Sequence, residues 1–319
     1  MQRIAITGSS GYYGSKLIEH LRAQIPDAKI LGLDVAPPRA APDEFVKLDV
    51  RDPKLGGHLQ RFAPDTVVHL AFIVNQIRDD RKMREINVGG AEHVFRAVEA
   101  VRPRRFLMAS SATVFGGRPD MPVPVDDHHP IHDKAIFRYA IDKTKLERMI
   151  ADFAQRNGDI AVSWTRPCII YGPGVNNYLS RFLLNMPFLA KIDGRDTPMQ
   201  FVHEDDVAAA TLEILRQDAR GPFNVGPPDW MVLSEIARET RRFCVPLPLW
   251  WCRFVTFFWW NLRLPVFDFP PELHYFVRDP WVVAPNRLQQ ELGYQFRFTS
   301  RDTLRELYRT KKRNLFRIR

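Results

Sequence analysis

The 319-residue chain is 45% hydrophobic and 26% charged, which suits an ordinary globular protein and excludes a disordered or collagen-like one. Its formal charge is +9, but Arg309, Lys311, Lys312, Arg313, Arg317 and Arg319 supply six of those charges within the last eleven residues, so the body is nearly neutral and no nucleic-acid partner is expected. Cys168, Cys244 and Cys252 lack the spacing of a disulfide framework or a metal site, and the amino terminus lacks an apolar export segment, so a metal-free, cytoplasmic protein is expected.

In chain order, the apolar run Arg3 to Thr7 reads as a strand and leads directly into Gly8-Ser9-Ser10-Gly11-Tyr12-Tyr13-Gly14. A helix over Ser15 to Gln24 follows, with Leu17, Ile18 and Leu21 on one face. Glycines between strand and helix let the chain turn tightly against a pyrophosphate, and the helix amino end then faces the phosphates. Gly8, Ser10, Gly11, Tyr12, Tyr13 and Gly14 are therefore candidate contacts of a dinucleotide. Lys29 to Asp34 reads as the second strand, and Asp34 stands twenty residues after Gly14, where a carboxylate can accept hydrogen bonds from the adenosine ribose. That carboxylate repels a 2′-phosphate, so NAD is preferred to NADP. After a third strand, Phe45 to Leu48, Asp49 and Val50 are placed to flank the adenine, although a loop carboxylate with no such role fits nearly as well.

Thr66 to Ala71, Arg105 to Ser110 and Ile160 to Thr165 continue the buried strands, while Asp80 to Ala100 and Ile136 to Arg156 have helical spacing. This alternation predicts an α/β fold of the Rossmann type, a doubly wound parallel sheet. Beyond Gly172-Pro173-Gly174 the pattern turns irregular and rich in proline and aromatics, as expected of a smaller, discontinuous C-terminal cap. The expected division is residues 1–170 as the NAD-binding domain with a returning segment near 200–226, 171–199 and 227–308 as the substrate-binding cap, and 309–319 as a basic tail.

Tyr139 and Lys143 are four residues apart, so one helix face presents both. An ammonium beside the phenol would pull a pKa of about 10 toward working pH and make Tyr139 a general acid or base.

Together with the glycine loop, His69-Leu70-Ala71, Asn87-Val88-Gly89-Gly90, Ser110-Ser111-Ala112-Thr113-Val114-Phe115-Gly116, the Tyr139 and Lys143 pair with Glu147, Arg166-Pro167, Tyr171-Gly172-Pro173-Gly174 and Phe201-Val202-His203 to Ala208 stand in one order along the chain. In that order they resemble the extended short-chain dehydrogenases, the NAD-dependent epimerases and dehydratases, over nearly the whole sequence. The resemblance implies that Ser111 hydrogen-bonds the reacting oxygen, that Tyr139 exchanges its proton, and that Lys143 binds the nicotinamide ribose. It adds Leu70, Ala71, Asn87, Ser110 and Pro167 to the residues around NAD, and it implies a homodimer formed through the helices over Asp80 to Ala100 and Ile136 to Arg156.

Several positions depart from the family pattern. Asp142 precedes the lysine where serine is usual, and adjacent residues diverge around a helix, so its carboxylate is expected in solvent. Phe115 replaces a common tyrosine near the expected substrate, and Met199-Gln200 stands where sugar-nucleotide epimerases carry an arginine for the diphosphate. Arg181, Arg195 or Arg278 could serve in its stead. The segment Leu249 to Arg263 holds four of the seven tryptophans. Its i, i+3, i+4 spacing predicts a packing stripe of Trp251, Phe254, Val255, Phe258, Trp259 and Leu262, with Trp250, Phe257 and Trp260 left outside. Cap core or dimer contact, an apolar substrate lid, and a peripheral membrane anchor acting with the basic tail (Leu315, Phe316 and Ile318 among its cations) all stay open for it.

The function expected is an NAD(H)-dependent oxidoreductase transferring hydride at a secondary alcohol or ketone of a rather apolar small molecule. The alternatives are a UDP-glucose-type 4-epimerase with tightly bound NAD, and an inactive NAD-binding protein attached to membranes.

Overall fold

The computed structural model describes residues 1–75, 79–132, 137–175, 180, 183–184, 186–261 and 271–315. Ile136, Arg181, Leu262, Phe316, Arg317, Ile318, Arg319 and the side chains of Trp259, Trp260, Lys312, Arg313 and Leu315 lie outside the described set.

Continuous apolar runs need cover on both faces, and a parallel sheet between two helix layers provides it. Strands β1 (Arg3–Thr7), β2 (Lys29–Asp34), β3 (Glu44–Lys47), β4 (Thr66–His69), β5 (Arg105–Ala109) and β6 (Ala161–Pro167) join Gly221–Val225 in one seven-stranded sheet. Its order is Gly221–Val225, β6, β5, β4, β1, β2, β3, with every pair parallel. This is the expected Rossmann-type doubly wound sheet. Helix α1 (Tyr12–Gln24) and the helix Glu204–Arg216 pack on one face, around Leu17, Ile18, Leu21, Val207 and Ile214. The other face is covered by α2 (Leu55–Phe62) and by the helices after β4 and β5, around Leu59, Phe62, Val94, Phe106 and Phe153. Strand order reverses between β1 and β4, which opens the crevice above their carboxyl ends where ligands of such sheets bind.

The helix expected over Asp80 to Ala100 is interrupted: α3 (Asp80–Arg84) passes through a π-helical turn at Glu85–Gly89 into α4 (Gly90–Val101). The wider turn admits an extra residue and places Asn87 in the interior, a common use of such bulges. Arg102 ends α4 in the left-handed conformation and Pro103 prevents its continuation. The described part of the next helix, α5, is Arg138–Arg156.

In the C-terminal part, Leu189–Ile192 pairs in parallel with Cys244–Leu247, and Phe201–His203 with Ile169–Tyr171. The aromatic segment is a helix, Leu249–Asn261, but it is turned differently from the expected stripe. Cys252 and Thr256 face the body, where the Thr256 hydroxyl lies 3.0 Å from His274 Nε2, while Trp250, Trp251, Phe254, Phe257 and Phe258 are 44 to 68% exposed. Close approach to His274 needs small side chains on the inner face, so the bulky residues are rotated outward and the predicted burial of Trp251, Phe254 and Phe258 does not occur. Among the described residues no helix is long and apolar enough to cross a membrane.

Candidate active site

The crevice is a cleft bordered by Gly8, Gly11, Tyr12, Tyr13, Gly14, Leu70, Ser110, Ser111, Tyr139, Lys143 and Pro167, all expected from the sequence. Residues separated by up to 159 positions meet here because the parallel strands all end on the same side. Gly8 has φ +73°, and a Cβ there would lie 2.5 Å from Ala71 N, so only glycine lets the β1 and β4 ends approach so closely. Gly14 is equally constrained, since a Cβ would meet the Gly8 carbonyl oxygen at 2.3 Å. Gly11 caps α1 without a side-chain acceptor, and no acidic residue lies in the first turn. The helix amino end is thus uncapped, a fit for phosphate oxygens.

Asp34 Oδ2 accepts from Ser10 N at 2.9 Å and Oδ1 from Ala36 N at 2.9 Å, so the carboxylate is fixed at the end of β2 beside the glycine loop. Ser10, Asp34, Asp49, Val50, Ala71 and Asn87 stand behind or beside the cleft and not in its lining. Asp49 is closed on Arg51, whose guanidinium holds its carboxyl below the usual range, and Val50 is buried against Gly90. Tyr13 directs its hydroxyl into the interior, 2.5 Å from Thr211 Oγ1, and so ties α1 to the helix Glu204–Arg216. Buried His69 holds its Nδ1 2.7 Å from Thr7 Oγ1; burial pushes its pKa to about 3, so a neutral ring links β4 to β1.

Ser111 ends the β5 connection in extended backbone and caps the short 3₁₀ turn Ala112–Phe115, its hydroxyl accepting from Thr113 N at 3.2 Å and Thr113 Oγ1 at 3.0 Å. That hydroxyl stands near the Tyr139 phenol and acts to lower its pKa. Lys143 Nζ donates to Ala109 O at 2.8 Å and lies 3.7 Å from the centre of the Phe72 ring, while the Tyr139 ring centre is 5.8 Å away. The expected cation-assisted phenolate is not the resting arrangement. Burial pushes the Tyr139 phenol up to about 12, outweighing the lowering influence of Ser111, and burial pulls the Lys143 ammonium down to about 7 against the raising influence of Asp142 and Glu147. The i, i+4 spacing does put both groups on one face, but the same burial that encloses them disfavours both charges.

Asp142 is buried and not exposed: its Oδ2 accepts from Asn87 Nδ2 at 3.3 Å, and Asn87 Oδ1 accepts from Ile73 N at 2.9 Å. The π turn brings Asn87 to this position, so the loop after β4 is tied to α5 one residue before Lys143. Below the site, Glu147 Oε2 accepts from Ser110 Oγ at 2.6 Å, and its Oε1 from Arg166 Nε at 2.8 Å, while Arg166 Nη1 donates to Asp127 O at 2.6 Å. Removing the carboxylate would strand a buried guanidinium. Glu147→Ala is therefore expected to lower the unfolding free energy by about 3–5 kcal/mol in urea titration, with Glu147→Gln costing less.

Sequence reasoning missed Phe72, Val74, Ala109, Thr113, Cys168, Ile169, Ile170 and Trp281, which complete the lining. Phe72 meets Tyr139 edge-on, ring centres 5.2 Å apart. Its only signal was the apolar run Phe72-Ile73-Val74 after Ala71. Trp281 comes from the C-terminal part and had none. Gln200 holds that segment: Oε1 accepts from Val283 N at 3.0 Å, and Nε2 donates to Val283 O at 2.9 Å and Pro227 O at 2.6 Å. Phe115 is buried, with the Arg166 guanidinium 4.9 Å from its ring centre, so this position packs inward and does not border the cleft as expected.

The NAD dependent epimerase/dehydratase family matches residues 4–226, more than half of the sequence. The chain belongs to this family. It is an NAD-dependent enzyme, as expected, with NAD as its cofactor. An uncharacterized protein of Mycobacterium tuberculosis is 27% identical over 317 residues, covering 96% of this chain and 83% of the relative. Short-chain dehydrogenase/reductase family 42E member 1 of Danio rerio is 28% identical, over 65% of this chain and 57% of its own length. Among solved structures, UDP-glucose-4-epimerase from Stenotrophomonas maltophila, with bound NAD and formylated UDP-arabinopyranose, has a TM-score of 0.76 at 18% identity and covers 100% of both chains. The Bordetella bronchiseptica enzyme WbmG in complex with NAD has a TM-score of 0.72 at 23% identity, covering 98% of this chain and 94% of that one. At these identities the structures establish a shared epimerase/dehydratase fold.

Proposed function

We propose that this family member is a dehydrogenase or reductase that interconverts an apolar secondary alcohol and its ketone, acting as a homodimer. The observation that carries this reading is the lining shared with Ser111 and Tyr139: Phe72, Val74, Cys168, Ile169, Ile170 and Trp281 border the cleft, and no arginine does among the described residues. Met199 packs beside Trp281 and Cys168. Of the arginines that could replace a diphosphate contact, Arg195 donates to Asp279 at 2.9 Å, and Arg278 lies 3.2 Å from Asp193. Both are engaged by carboxylates, so an incoming diphosphate would have to displace an existing partner.

NAD supplies the hydride acceptor for oxidation and, reduced, the donor for reduction. The glycine loop and the α1 amino end hold the phosphates, Asp34 takes the adenosine ribose, and Lys143 takes the nicotinamide ribose. Ser111 donates a hydrogen bond to the substrate oxygen. Tyr139 gives its proton to that oxygen in reduction and takes one from the hydroxyl in oxidation. Apolar walls exclude water from the carbon that exchanges hydride.

The test is turnover of cyclic and long-chain secondary alcohols or ketones with free NAD(H). Stoichiometric change in NADH absorbance with at least one of them is expected. Conversion of UDP-galactose to UDP-glucose with tightly held NAD and no net NADH would overturn the proposal in favour of an epimerase.

A further inference from the structure

The aromatic helix Leu249–Asn261 presents its bulk to the outside. At 100° per residue, Trp250, Trp251, Phe254, Phe257 and Phe258 lie within an arc of about 120°, and Cys252 and Thr256 face the body on the other side. This reverses the usual amphipathic order, in which the apolar face is buried. Arg253 flanks the arc, donating to Tyr275 Oη at 3.1 Å, and the helix contains no acidic residue. Phe243, which is stacked on Phe188 and exposed, immediately precedes the strand leading into the helix.

We infer that this face is a docking surface for an anionic phospholipid membrane, in which the helix lies along the interface with its five aromatic side chains inserted. Taking roughly 200 Å² per aromatic side chain, the exposed part of the ridge is about 500 Å². That lies within the range of roughly 300–600 Å² for the largest apolar patch of a typical monomer, a patch that is often functional, and it falls short of the roughly 800 Å² per partner of a stable protein interface. A helix of 13 residues is about 20 Å long, too short to cross a bilayer and suited to lying in its headgroup region, where tryptophan is at home. Charge complementarity selects the lipid: Arg253 borders the ridge, the helix has no acidic residue, and the chain as a whole carries +9.

The helix also connects to the active site. Thr256 contacts His274, Arg253 contacts Tyr275, and the Tyr275 carbonyl oxygen lies 2.8 Å from where a Cβ of Gly117 would stand, six residues after Ser111. Docking would thus bring the cleft to a surface in which apolar alcohols dissolve. This consequence rests on the proposed substrate class; the docking itself does not.

The full-length protein is tested by co-sedimentation with vesicles of phosphatidylcholine and phosphatidylglycerol in a ratio of 3:1, and with phosphatidylcholine alone. Binding to the anionic vesicles, a blue shift of tryptophan emission, and at least fivefold weaker binding at high salt are expected. The variant Trp250→Ser/Phe254→Ser/Phe257→Ser should retain its thermal midpoint and NAD binding and lose at least tenfold in vesicle partition; Phe257→Ser alone should fall between. Wild-type protein that stays in the supernatant, or a triple variant that binds as well as wild type, overturns the inference. So does a triple variant that loses self-association by sedimentation equilibrium, which would make the ridge a contact with a second copy. A large fall in its thermal midpoint would show instead that the chain covers this face itself. None of these readouts depends on the substrate.

Discussion

Tyr139→Phe is expected to lower kcat by about 10³ while NAD binding and the thermal midpoint stay close to wild type. Phenylalanine preserves the ring that meets Phe72 edge-on at 5.2 Å and Phe137 at 6.0 Å, so packing in this region is retained. What disappears is the phenolic hydroxyl beside Ser111, and with it the proton that Tyr139 would exchange with the substrate oxygen. Positioned proton transfer contributes about 10² to 10⁴ in rate, so the loss should appear in kcat rather than in KM for the cofactor. Single-turnover NADH absorbance and a fluorescence titration of NADH separate the two quantities. Turnover within a factor of three of wild type would remove Tyr139 from the reaction.

Lys143→Met is expected to abolish turnover and yet stabilise the fold at low and neutral pH. The side chain is fully enclosed, and burial takes its pKa from an ordinary 10.5 down to about 7. Below pH 7 the ammonium is present in folded and unfolded chain alike, and the folded state carries the whole cost of enclosing it. Between pH 7 and 10.5 the unfolded chain binds more protons, so wild-type stability rises with pH, and above 10.5 the cost is gone. At about 1.4 kcal/mol per pKa unit the upper limit is about 5 kcal/mol, from which loss of the Ala109 hydrogen bond and the contact with Phe72 subtracts about 2–3 kcal/mol. Methionine is similar in length and leaves no charge, so the variant should unfold about 2 kcal/mol later than wild type at pH 6, and the gain should shrink toward pH 10. Urea titrations at pH 6, 8 and 10 measure this. A variant destabilised at pH 6 would mean that the ammonium is solvated in the native state. The opposed signs for activity and stability would identify Lys143 as a group retained for chemistry at the expense of the fold.

Much of this arrangement follows from local order. Uninterrupted apolar runs such as Val67-Val68 and Phe106-Leu107-Met108 can be satisfied only inside a two-layered parallel sheet, and they alternate with helices at the spacing such a sheet needs. The glycine loop, Ser111 and the Tyr139 and Lys143 pair are legible because each acts at a strand end or on one helix face, where neighbours in sequence are neighbours in space. Asp34 belongs with them, since the end of β2 must lie beside the glycine loop once β1 and β2 pair.

Tertiary structure decided the rest, because those properties depend on which distant surfaces meet. Asp142 is adjacent to Lys143, yet its burial depends on Asn87, 55 residues away and turned inward by a π bulge that no residue pattern announced. Phe72 and Trp281 reach the cleft from the loop after β4 and from the C-terminal part of the chain, so nothing local relates them to Tyr139. The protonation of the dyad depends on burial, a quantity summed over every element that closes above it. The aromatic helix shows the limit most directly. With apolar residues around most of its circumference, periodicity allows several faces to be the buried one, and the close approach of Thr256 to His274 chose the face with small side chains. From sequence alone came the family's sheet, its glycine loop and its candidate reacting residues; packing determined how those residues are enclosed, the apolar side chains that share their cleft, and the direction in which Trp250 and Trp251 point.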